Sequence, residues 1–117
     1  MRRLALAVLF AAAATPALAQ TSAIAPAAAK DHVGEQVTVE GVVSEVHHAA
    51  SGRTTFIDIG GRSPHNPFAA VIFESDAAKF PNIDAFGGKT VDITGRIRLY
   101  RGAPEIILSD PGQIKVR

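Results

Sequence analysis

The chain has 117 residues, with 12 basic and 11 acidic side chains, no cysteine and no tryptophan. The lack of cysteine excludes disulfides, thiol catalysis and thiolate metal sites, so stability has to come from apolar packing. A formal net charge of +1 creates no global field that would gather polyanions, so an anionic partner needs a local patch.

The N-terminus reads in three parts. Arg2 and Arg3 precede an uncharged apolar run from Leu4 to Ala14, Pro16 follows, and Ala17-Leu18-Ala19 has the small-x-small pattern of a signal-peptidase site. A helix of about eleven residues is roughly 17 Å long, too short for a hydrocarbon core of about 30 Å. Residues 1–19 are therefore read as a cleavable secretory signal, and the expected location is periplasmic or secreted. Arg2-Arg3 lacks the surroundings of a twin-arginine signal. Cleavage would remove both arginines and leave 10 basic against 11 acidic side chains, a net of −1. No cysteine follows the cleavage site to carry a lipid.

Residues 20–32 read as a flexible leader and a short helix, with Pro26 in its first turn and Gly34 as its stop. Residues 33–117 read as one domain. From Gln36 the period is two, with Val37, Val39, Gly41 and Val43 on one face and Thr38, Glu40 and Val42 on the other. Gly41 in mid-strand predicts a bend or bulge. A turn-rich segment, 47–52, leads to a second strand over 53–59, and a loop with two glycines and two prolines leads to a third over 68–74. Residues 75–80 predict a single poor helical turn. The fourth strand is long, 89–100, with Val91, Ile93, Gly95, Ile97 and Leu99 facing the core and Thr94, Arg96, Arg98 and Tyr100 facing away. A fifth strand spans 105–109, and 113–116 adds a last extended piece.

The first and fourth strands echo each other. Gly34-Glu35-Gln36-Val37-Thr38-Val39-Glu40-Gly41 and Gly88-Lys89-Thr90-Val91-Asp92-Ile93-Thr94-Gly95 both read G-x-x-V-x-[VI]-x-G. Together with Thr55-Phe56-Ile57-Asp58-Ile59-Gly60 and Tyr100-Arg101-Gly102-Ala103-Pro104-Glu105-Ile106, these segments resemble an exported bacterial OB-fold domain, similar to nucleic-acid-binding OB modules. The resemblance covers residues 33–116. It implies an all-β fold: a small five-stranded Greek-key OB-type barrel.

No catalytic constellation emerges. The serines are scattered with no nucleophile elbow, and Gly60-Gly61 lacks the Lys and Ser/Thr of a phosphate loop, so no enzyme activity and no cofactor are expected. His47 and His48 are adjacent, so on a strand their rings point to opposite faces, and no metal site is expected. Asp58, between Ile57 and Ile59, is expected to point outward and meet solvent or an arginine.

Binding is the better reading. OB folds as a class bind on the face of strands two and three and on the loops joining strands one to two and four to five. By position, the resemblance implicates Arg53, Phe56 and Asp58, the loop residues His47 and His48, and Tyr100-Arg101 at the last turn. Arg96, Arg98 and Tyr100 recur at i, i+2 and i+4, about 7 Å apart along a strand, a spacing that suits successive phosphates and one stacked base. Glu105 and Asp92 are the carboxylates placed to neutralise that face. The candidate binding residues are thus Arg53, Phe56, Arg96, Arg98, Tyr100 and Arg101. Two classes of partner stay open: single-stranded nucleic acid or another extended anionic ligand, and a small cation, a glycan or a protein, for instance in stress tolerance.

Overall fold

The computed structural model describes residues 22–117, so the predicted signal, residues 1–19, lies outside the described residues. A 3-10 turn, Pro26–Asp31, precedes β1 (Gln36–His48), β2 (Thr54–Ile59) and β3 (Phe68–Phe73). Two further 3-10 turns, Glu74–Lys79 and Ile83–Phe86, lead to β4 (Thr90–Arg96) and β5 (Arg98–Tyr100). The chain continues through β6 (Ala103–Ile107), a 3-10 turn Pro111–Gln113 and β7 (Ile114–Val116). Two of the four helical segments, Pro26–Asp31 and Glu74–Lys79, fall where the sequence places them, whereas Ile83–Phe86 and Pro111–Gln113 were not expected, and each is a short 3-10 piece.

All seven strands belong to one sheet in the order β5-β6-β3-β2-β1-β4-β7. Among the described strands only the β3–β6 pair is parallel, and an isolated parallel bridge joins Ile24 to Val39. The expected five-stranded barrel is corrected on two points. The long fourth strand divides at Ile97, and residues 114–116 pair with β4 as a strand of their own. The ladder also stays open, because no strand pairing joins its two ends. Ile97 explains the division: its N–H donates to the Glu35 carbonyl and its carbonyl accepts from Gly34, at the start of β1. One residue later the chain has left β1 and pairs with β6. Strands adjacent in sequence thus sit far apart in the ladder order, and the sheet has to curl to connect them.

The seam of that curl lies between β4 and β6. At Gly95 a Cβ would come within 2.5 Å of Ile106 Cγ2, so the glycine allows the two strands to approach. Gly41 serves the same purpose against Ile59 and Pro26. No bulge falls at Gly41 itself, although β1 passes from pairing with β4 to pairing with β2 just after it, between Val42 and Val43. Gly41 pairs in register with Val91, and the bulge in β1 falls between Val43 and Glu45. Gln113 bridges the seam with its side-chain amide, donating to Thr94 O of β4 at 3.1 Å and to Ile107 O of β6 at 3.0 Å.

The inward residues of period two form the core: Val37, Val39 and Val43 from β1, Val91 and Ile93 from β4, Ile57 and Ile59 from β2, and Ile106 from β6. Phe68, Ile72, Ile97, Leu108 and Ile114 are among the others packed with them. Leu99, predicted to face this core, is 52% exposed. It follows the Ile97 break, and β5 overhangs the core as an edge strand.

Candidate functional site: a groove on the outer face

The alternation that sends Ile57, Ile59 and Ile106 inward sends Phe56, Asp58 and Glu105 outward. Cross-strand pairing then assembles them. Asp58 of β2 lies opposite Ala69 of β3, Ala69 opposite Glu105 of β6, and Glu105 opposite Arg98 of β5. In the next row His47 of β1 lies opposite Phe56 and Phe56 opposite Val71. Two clefts open over these rows. One of about 130 Å³ runs between Phe73 and Arg98; the other, about 490 Å³, extends past Asp58 and Ser63 to Arg101. They share Phe56, Tyr100 and Glu105 and so form one groove.

Its rings and charges are held in place. The His47 imidazole stacks on Phe56 with ring centres 5.2 Å apart and planes 19° apart. Arg98 lies 5.8 Å above the Phe73 ring and donates from Nε to Glu105 Oε1 at 2.8 Å. Arg101 lies over the Tyr100 ring at 5.3 Å. The β5–β6 hairpin turns on Arg101 and Gly102, both with positive φ, which matches the right-handed twist of the paired strands. This conformation aims Arg101 over the groove rather than along the sheet.

Four of the six expected binding residues line the groove: Phe56, Arg98, Tyr100 and Arg101. Arg96 and Arg53 do not. Arg96 keeps the parity of Arg98, but the bend at Ile97 separates them, and its guanidinium donates to Gly34 O at 2.7 Å on the β1–β4 half. Arg53 stands exposed before β2. Of the four candidate arginines, Arg98 and Arg101 therefore meet in the groove. His47 is a strand residue facing the groove, not a loop residue, because β1 runs on to His48. His48 faces the other way and bonds Thr55 Oγ1 and Asp84 Oδ1.

Asp58 also needs correcting. It points to the outer face as expected, yet it is 2% exposed and meets neither solvent nor an arginine. Its Oδ2 accepts from the Ser63 backbone N–H at 3.2 Å and lies 3.1 Å from His47 Nε2. Nε2 is off the hydrogen-bonding line, so that contact is an electrostatic one. Burial raises the Asp58 carboxyl above its ordinary value of 3.8, with His47 and the Ser63 N–H pulling it partly back and Glu45 opposing them. The folded chain then holds a proton that the unfolded chain has released, so this group's contribution falls as pH rises from 3.8 through the raised value. Asp58→Asn, which keeps the acceptor for Ser63, is expected to melt above the wild type at pH 7, with the gap closing below about pH 4. A gap of one size across that range in thermal melts would contradict the sign.

Sequence reasoning placed Glu105 as a surface partner of the arginines, whereas it forms the groove floor at 5% exposure. Its parity beside inward Ile106 was the available signal. A larger recess of about 640 Å³ lies over β1, β4 and β7, but its polar groups serve one another: Arg117 pairs with Asp92 and Glu40, and Thr38 bonds Thr94. Among the described residues, no three His, Asp or Glu side chains converge as a metal site would require.

No protein-family model and no curated protein matches the sequence. Solved structures do match. Asparaginyl-tRNA synthetase from Pyrococcus horikoshii superposes with a TM-score of 0.60 at 16% identity, over 82% of this chain and 23% of that one. A Leishmania major Friedlin protein described as an aspartyl-tRNA synthetase gives 0.57 at 14% identity, over 87% of this chain and 22% of that one. The OBody AM1L10, bound to hen egg-white lysozyme, gives 0.55 at 19% identity, over 75% of this chain and 84% of that one. The fold is of the OB type. Against the two synthetases the chain spans less than a quarter of their length, so the likeness is to one domain of each.

Proposed function

We propose that this chain is an exported, non-catalytic binding domain that holds a short stretch of single-stranded nucleic acid across the groove. The observation that carries the reading is the convergence of Phe56, His47 and Tyr100 with Arg98 and Arg101 on one face. Rings offer every base a stacking surface, and guanidinium groups beside them meet phosphates. OB-type domains of tRNA synthetases among the structural neighbours support the same partner class. Export rests on the pattern of residues 1–19.

Purified protein should bind a fluorescent single-stranded oligonucleotide at low salt. With two arginines in the groove, the log–log salt slope should be about −1.4, at roughly 0.7 per phosphate contact. Arg101→Ala should weaken binding and flatten that slope by about 0.7. Arg96→Ala, on the other half of the sheet, should change neither. Equal losses from the two variants would move the site away from the groove.

A second reading is an exported OB-type protein that binds a small cation, a glycan or a protein. The buried carboxylates of Asp58 and Glu105 on the groove floor favour it, since they oppose a polyanion laid directly on them. The OBody–lysozyme complex supports a protein partner for this fold. No binding of any oligonucleotide at low salt would leave this reading standing.

A further inference from the structure

Resting on the nucleic-acid reading, we propose that the groove selects guanine, with Glu105 as the acceptor for the edge of a base stacked beside it. The two oxygens of Glu105 are used unequally. Arg98 brings both Nε and a terminal nitrogen to Oε1 at 2.8 Å. Among the described residues, no donor reaches Oε2, and this oxygen is not sealed from the groove. Asp58 repeats the pattern: Ser63 N and His47 both approach Oδ2, and no described donor reaches Oδ1. Ala69, between the two carboxylates in the same cross-strand row, contributes only a methyl group. The floor therefore has an acceptor at each side, with Asp58 covered by the Ser63 loop and Glu105 lining both clefts.

Glu105 lines both clefts, as do Phe56 and Tyr100. A base stacked on either ring turns an edge to the floor, and a carboxylate can only accept there. Guanine has two adjacent donors on its Watson–Crick edge, N1–H and the N2 amino group, with no acceptor between them. Thymine has a single N–H flanked by two carbonyls, which a carboxylate repels. Adenine and cytosine each set one amino group beside an acceptor ring nitrogen. Guanine is the base whose Watson–Crick edge offers this floor two adjacent donors.

Three oligonucleotides of equal length distinguish the outcomes by competition against the full chain at fixed low salt. One is all thymine, one alternates thymine with guanine, and one has inosine in place of each guanine. The guanine strand should bind about tenfold tighter than the all-thymine strand, and inosine, which lacks the N2 amino group, should lose most of that gain. Glu105→Met, which keeps the side-chain length and removes the acceptor, should abolish the guanine preference. Equal binding of the three strands by the wild type would overturn the guanine assignment and leave the groove reading intact. A guanine preference that persists in Glu105→Met would overturn the role of Glu105. No binding of any strand would remove both readings at once. The inosine comparison needs no variant, so the test stands even if Glu105→Met does not fold.

Discussion

Truncating Ile93 to alanine is expected to lower the unfolding free energy by about 2–5 kcal/mol. Ile93 is fully buried and sits mid-ladder, opposite Val39 of β1 on one side and Ile114 of β7 on the other. Its removal takes apolar contacts from three strands at once, and the two ladders around it limit collapse into the gap. The next residue is the control. Thr94 points to the outer face, where its Oγ1 meets Thr38 Oγ1 at 2.8 Å. Thr94→Ala loses that one part-buried hydrogen bond, about 0.5–1.5 kcal/mol. Urea denaturation of both variants, with slopes near the wild-type value, measures the difference. Equal shifts in midpoint would place β4 in the wrong register.

Replacing Gln113 with leucine is expected to cost about 2–6 kcal/mol, with each of four lost hydrogen bonds worth about 0.5–1.5 kcal/mol net. The Gln113 side chain makes four bonds to backbone groups. Its Oε1 accepts from Ser109 N and Asp110 N, and its Nε2 donates to Thr94 O and Ile107 O. Two of these cap the Pro111–Gln113 turn, and two cross the open seam between β4 and β6. Leucine fills a similar space and satisfies none of the four. Gln113→Glu separates the two tasks, because it keeps the acceptor and loses the donors that cross the seam. It should therefore be destabilised as well, with a carboxylate facing two carbonyl oxygens. A loss below about 0.5 kcal/mol in both variants would show that β4 and β6 do not depend on this bridge.

What was legible in the sequence depended on how local its cause is. The period-two valines and isoleucines of β1 and β4 placed the core correctly, because side-chain alternation along a strand is a local property. The division of the long strand at Ile97 was not legible. It depends on Gly34 and Glu35, some sixty positions earlier, taking the backbone bonds of that residue. This one unseen bend accounts for two errors, the outward Leu99 and the supposed partnership of Arg96 with Arg98. The glycines have a role that the sequence did not show. Gly95 makes room for Ile106 of a strand that only the fold brings near.

The groove was half legible. Phe56, Arg98, Tyr100 and Arg101 follow from strand parity and from where OB folds bind. Asp58 had the right parity and the wrong environment, since its cover comes from the Ser63 loop and from a strand read as a turn. Glu105 was seen only as a counter-charge. Its floor position depends on the parallel pairing of β3 and β6, which places it across Ala69 from Asp58.

The Ile97 junction constrains how this domain can change in length. The loop over residues 60–67 lies outside the strand ladder and can absorb added residues at its exposed positions, away from Ser63. Ile97 has no such slack. It is one buried residue that joins the inner half of the sheet to the lip of the groove. An insertion there must be taken up as a bulge or it shifts β5 by one position. In the second case Leu99 would turn to the groove, and Arg98 and Tyr100 would leave it together. Lineages of this domain should therefore vary in loop length freely while the count of residues between β4 and β5 stays fixed.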